Sequence, residues 1–78
     1  MIENNLIIYP NPAKDKVFVV SPEKISELSI YSLNGKQRIN IQPDKKEISV
    51  SISSLPQGIY VTNCKTESSM KTQLFIKE

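Results

Sequence analysis

The sequence predicts an all-β fold, a seven-stranded antiparallel β-sandwich of immunoglobulin-like architecture. Three observations carry that expectation. The first is residue choice. Of 78 residues, 19 are β-branched (eleven Ile, five Val, three Thr), and alanine occurs once, at Ala13. β-Branched side chains are stiff at χ1 and fit a pleated surface, whereas alanine is the best helix former. Ten serines offer local side-chain bonds to the backbone that weaken helices further. The second is period-two alternation, with no apolar i, i+3, i+4, i+7 stripe to support a helix. The third is the regular recurrence of turn residues between short segments, which is the spacing of a sandwich. A small barrel is the alternative closure.

Each element has a local reason. Leu6 to Tyr9 forms the first strand, and Pro10-Asn11-Pro12 ends it, because proline removes a ladder donor and sets φ. Lys16 to Val20 is the second, with Val17 and Val19 on one face and Phe18 and Val20 on the other. Ser21-Pro22-Glu23-Lys24 reads as a turn. Ile25 to Leu33 holds the third strand, with Leu28 and Ile30 as its buried pair. Asn34-Gly35 then reads as a type I′ hairpin turn, since both residues tolerate φ > 0. Gln37 to Gln42 is the fourth strand, with Ile39 and Ile41 sharing a face. Pro43-Asp44-Lys45-Lys46 is expected to turn the chain again.

Glu47 to Ile52 is the fifth strand. Ile48, Val50 and Ile52 point inward; Ser49, Ser51 and Ser53 point outward, as on a half-solvated sheet. Ser54-Leu55-Pro56-Gln57-Gly58 is a corner. Ile59 to Lys65 is the sixth strand, with Ile59, Val61 and Asn63 on one face and Tyr60, Thr62 and Cys64 on the other. Thr66 to Ser69 is a polar turn. Lys71 to Lys77 is the seventh strand. Leu74 and Ile76 are expected in its core face, leaving Lys71, Phe75 and Lys77 to face a partner.

Composition narrows function by exclusion. The length suits one domain, and 38% apolar residues suffice for one modest core of marginal stability. A net charge of +2 supplies no strong field for nucleic acid or an anionic membrane. No apolar run approaches the roughly 18–20 residues of a membrane span. Met1-Ile2-Glu3-Asn4-Asn5 lacks the basic and apolar regions of a secretory signal, so any such signal belongs to a longer parent chain. The absence of histidine removes histidine-based acid–base and nucleophilic chemistry. One cysteine, Cys64, cannot close an internal disulfide or build a zinc cage; it reads as a buried, inert thiol. The acids Asp15, Asp44, Glu47 and Glu67 are scattered and match no calcium loop. Tyr9, Tyr31 and Tyr60 would make a sugar-stacking platform only if they shared a face; buried rings are expected instead. No cofactor is expected, and function must rest on surface recognition.

Four short motifs, taken in order, name a family. They are Tyr9-Pro10-Asn11-Pro12-Ala13 followed by Asp15 and Val17-Phe18-Val19; Leu28-Ser29-Ile30-Tyr31-Ser32-Leu33-Asn34-Gly35-Lys36; Ile52-Ser53-Ser54-Leu55-Pro56-Gln57-Gly58-Ile59-Tyr60-Val61; and Lys71-Thr72-Gln73-Leu74-Phe75-Ile76-Lys77. The series resembles the C-terminal sorting domain of the type IX secretion system of Bacteroidetes, in its type A form, over residues 6–77. Ser32 stands where the family often has Asp or Asn, and Glu78 follows the final lysine.

The resemblance implies a transport address, not a catalyst. The parent would cross the inner membrane on a separate signal. The folded domain would then be recognised in the periplasm by an outer-membrane shuttle protein and the translocon. A cell-surface sortase would act on the cargo at the surface, which is anchored there or released. Residues 1–78 would form a single domain cut from such a parent. Tyr9, Pro10, Asn11, Pro12, Ala13, Tyr31, Gly35, Lys36, Gly58, Ile59 and Tyr60 would be mostly structural, and Lys71, Phe75 and Lys77 the candidate recognition residues. The first and last strands are expected to leave open edges through which two copies pair. The competing readings are an immunoglobulin- or fibronectin-like binding module for carbohydrate or adhesion, and a structural spacer.

Overall fold

The computed structural model describes residues 6–78; the reading of the N-terminal residues 1–5 lies outside them. The described elements are β1 (Ile7–Tyr9), β2 (Lys16–Ser32), β3 (Gln37–Ile41), β4 (Lys45–Ser51), β5 (Gly58–Thr66) and β6 (Met70–Lys77). Every pairing between them is antiparallel. The all-β expectation holds, with six strands in place of seven.

The missing boundary lies at Ser21-Pro22-Glu23-Lys24. These residues bend the chain without reversing it, and the expected second and third strands are one 17-residue β2. The pairing with β4 steps from Val20↔Glu47 to Ile25↔Lys45, so β2 bulges where Pro22 offers no donor. The returning chain kinks at the same place. β3 pairs with the far part of β2 (Leu28↔Ile41), and β4 resumes along the same strand at Ile25↔Lys45. Pro43-Asp44-Lys45-Lys46 is therefore a kink, and the expected turn there is corrected. Asp44 takes a positive φ of 53° and donates its N–H to the Ile25 carbonyl at 2.8 Å, which ties the kink to the bend.

The consequence is one long hairpin folded over itself. The N-terminal half of β2 carries β1 and β4; the C-terminal half carries β3 and β5, with β6 beyond β5. The inner faces of both halves share one core. Ile8, Val17, Val19 and Val50 come from one half, and Leu28, Ile30, Tyr60, Cys64 and Phe75 from the other. That is sandwich packing produced by bending a continuous sheet.

The expected alternation holds in β4 and β5: Val50 and Ile52 are buried with Ile48 packed beside them, Ser49, Ser51 and Ser53 are exposed, and Tyr60, Thr62 and Cys64 point inward. Burial raises the Cys64 thiol above its ordinary pKa, so it stays protonated. In β6 the phase is reversed. Phe75 is 0% exposed and stacks on its cross-strand partner Tyr60 at 5.7 Å, while Leu74 and Ile76 are 54% and 46% exposed.

The hairpin between β2 and β3 also differs from its expected type. Gly35 has φ +89°, and Asp44 is the described non-glycine residue with positive φ, so Asn34 does not share the type I′ geometry. The Gly35 N–H donates to the Ser32 carbonyl and the Ser32 N–H to the Lys36 carbonyl, both at 2.9 Å. This is a three-residue loop ending on a positive-φ glycine. Asn34 contributes through its side chain, which accepts from the Lys36 N–H and from the Ser32 hydroxyl.

Candidate recognition site

Three of the four motifs and the base of the hairpin motif meet at one end of the β3–β2–β5–β6 layer. Ser32 pairs with Tyr60, Gly58 with Lys77 and Ile59 with Ile76. The proline segment closes the group from outside. Ala13, fully buried, bridges in parallel to Lys77. Its N–H donates to the Ile76 carbonyl at 2.8 Å, and its carbonyl accepts from the Glu78 N–H at 2.7 Å. Asn11 Oδ1 accepts from the Ile76 N–H at 2.9 Å. Pro10-Asn11-Pro12 bends the chain from the end of β1 into these contacts.

The inner layer of this end is structural. Tyr60 is buried, and its hydroxyl donates to the Pro56 carbonyl, a bond that fastens the corner to β5 as a tyrosine corner does. Gly58 has φ +154° with open space around it, so glycine is needed there for backbone conformation, not for close approach.

The outer layer is apolar and solvent-facing. Ile59 pairs with Ile76, Val61 with Leu74, and Tyr31 with Val61, all on the outer face. Leu33, at the mouth of the hairpin, is 65% exposed and Ile59 is 45% exposed. Beyond this patch runs a polar row: Asn40 Nδ2 donates to Ser29 Oγ at 2.8 Å, and Thr72 Oγ1 donates to Asn63 Oδ1 at 2.7 Å. Lys36 stands exposed at the hairpin tip.

The three residues expected to face a partner fare differently. Phe75 is in the core, and Lys77 is 9% exposed with its ammonium donating to the Glu78 carbonyl. Lys71 is half-buried on the same side and lies near Glu23. The outward-facing members of β6 are instead Met70, Thr72, Leu74 and Ile76. Sequence reasoning missed Leu74 and Ile76 as surface residues. Their cross-strand partners, Val61 for Leu74 and Ile59 for Ile76, lie on the face opposite Tyr60 and Thr62, and that pairing is what sets the phase of β6.

The tyrosines do not converge. Tyr60 is internal, Tyr31 lies on the outer face of the second half, and Tyr9 lies on the first half stacked against Phe18 at 5.3 Å. Among the described residues no group of His, Cys, Asp or Glu gathers as a metal site, and no helix is long and apolar enough to cross a membrane. No curated protein matches the chain. A family model described as the secretion system C-terminal sorting domain matches residues 7–78.

Proposed function

We propose a mode of recognition from one premise: the chain belongs to the family of secretion system C-terminal sorting domains. Its function is that of a C-terminal secretion signal for the type IX system, and its cargo is secreted or held at the cell surface. The family match across residues 7–78 carries this conclusion. The finer reading is ours. The domain is a non-catalytic address of residues 1–78 on a longer parent, supported by a composition without histidine. The parent crosses the inner membrane on a separate signal and meets the shuttle protein and translocon in the periplasm. A sortase then acts at the surface.

The surface we assign to that encounter is the exposed patch of Leu33, Ile59, Leu74 and Ile76, with Lys36 at its rim. Patches of this kind mark contact sites on small soluble domains. Lys71 lies at the far end of the same strand. Phe75 and Lys77 serve the reading by holding β6 in place.

A reporter carrying an inner-membrane export signal and fused ahead of residues 1–78 tests this. In a strain with a type IX system it should reach the surface or medium, and in a translocon-deficient strain it should stay periplasmic. Ile59→Ser with Ile76→Ser should leave the domain folded, each costing about 1 kcal/mol or less at these half-exposed sites, yet block export. Export of the folded double variant would place recognition elsewhere. Periplasmic retention of the intact fusion in the competent strain would overturn the assignment for this chain.

A further inference from the structure

Among the described residues, four strands present an open edge: β1, β3, β4 and β6. Three of them carry devices that discourage pairing. β1 is three residues long and runs into Pro10. β3 carries a register shift opposite Ile30 and Tyr31, and β4 starts at a kink with Lys45-Lys46-Glu47. Short length, bulges and charge are how natural edges are blunted. β6 is eight residues long, and its outward-facing members Met70, Thr72, Leu74 and Ile76 carry no charge.

Hydrogen-bond direction limits what this edge offers. Alternate residues of an antiparallel strand send both N–H and C=O to the same side. Ile76 sends its groups to Asn11 and Ala13, away from β5. Leu74, Thr72 and Met70 are in phase with it, so their main-chain groups also face away from β5. The proline segment occupies the position at Ile76. Among the described residues nothing pairs with the other three outward-directed residues, Leu74, Thr72 and Met70.

We propose that this edge binds a second copy of the chain, antiparallel, about a two-fold axis through Thr72. Thr72 faces the partner's Thr72, Met70 faces the partner's Leu74, and Leu74 faces the partner's Met70. Each pair exchanges both main-chain bonds. Met70 and Leu74, 62% and 54% exposed in the single chain, cover one another as apolar cross-strand pairs. On the other face Lys71 meets the partner's Gln73, so no like charges oppose.

The neighbouring registers fail on the same observations. A two-fold at Leu74 sets Thr72 against the partner's Ile76, whose groups are already held. A two-fold at Gln73 sets Met70 against that same position and shortens the ladder. A two-fold at Lys71 places two ammonium groups opposite each other, which is destabilising. Only the Thr72 register uses the whole open run. The inference is independent of the sorting assignment: it concerns the mass of the isolated chain, and export of a fusion does not bear on it.

Light scattering on the 78-residue chain between about 10 μM and about 1 mM spans the affinities expected of so short a ladder. The expected result is a concentration-dependent dimer. Thr72→Pro removes an outward N–H while sparing the ladder to β5, and should weaken the dimer at least about tenfold. Thr72→Lys and Thr72→Glu, each folded by circular dichroism, should be monomeric alone and form a heterodimer when mixed, because the axis sets position 72 against itself. A strict monomer throughout, or a dimer that survives Thr72→Pro, would overturn the proposal. So would failure of the Lys and Glu variants to recombine, which also decides the matter if the proline variant does not fold.

Discussion

At the residue scale, the reversed phase of β6 separates stability from exposure. Phe75→Ala empties a fully buried site stacked on Tyr60. It should cost about 3–5 kcal/mol, a large share of the stability of a domain this small. Leu74→Ser, one position away, should change stability by about 0.5 kcal/mol or less. Urea midpoints of the two variants check this, and equal losses would contradict the assigned facing. The sequence left this phase ambiguous for a physical reason. Leu74-Phe75-Ile76 is an unbroken apolar run, so alternation gives no sign there, and the flanking lysines misled because Lys77 reaches back along its stem to the Glu78 carbonyl. Cys64 and the outward serines were legible because their strands alternate cleanly. The inward facing of Thr62 was legible with them, but not that its buried hydroxyl has no hydrogen-bond partner among the described residues. Thr62→Val keeps the shape and removes the unpaired group, so it should raise stability by about 1 kcal/mol, measurable as a higher urea midpoint.

At the element scale, all seven extended segments were readable, but their joins were not. Ser21-Pro22 and Pro43-Asp44 have the composition of chain reversals. They lie opposite each other on one hairpin, and a pair of opposed irregularities bends a sheet instead of ending it. No single-segment pattern reports that opposition. The bend is also tied to the β5–β6 turn. The Glu23 carboxylate accepts from Thr66 Oγ1 at 2.7 Å and from Ser68 Oγ at 2.7 Å. These bonds, chiefly that from Ser68, hold its pKa below the ordinary carboxylate value. A depressed folded-state pKa adds stability that is present above the unfolded pKa and is lost as pH falls through the folded one. Urea midpoints of the parent chain and Glu23→Gln at about pH 7 and about pH 3 test the linkage. The parent should lose more stability on acidification than the variant, and parallel losses would show that Glu23 contributes nothing.

At the scale of the whole molecule, fold class and family were legible because they rest on composition, period and motif order. The convergence of the motifs at one end was not, since it depends on which strands pair. Tyr9 to Ala13 reads as a strand stop, yet it reaches the last strand of the domain through Asn11 and Ala13. The bent-hairpin plan predicts a far-ultraviolet circular dichroism spectrum of strand type. An appreciable helical minimum would contradict it, since none of the described elements is a helix.

The bridge between Ala13 and Lys77 has a mechanical consequence. The two segments run in the same direction, and two main-chain bonds, at 2.8 Å and 2.7 Å, join them. Tension that reaches Ala13 from the cargo side while the far end of β6 is held slides the segments past one another. Both bonds are then loaded in shear and must yield together, where an antiparallel end would unzip one bond at a time. Ala13→Pro removes the donor to Ile76, and in single-molecule pulling between the two ends of the domain it should lower the rupture force. The domain is thus a signal with a latch that is loaded in shear when its two ends are pulled apart.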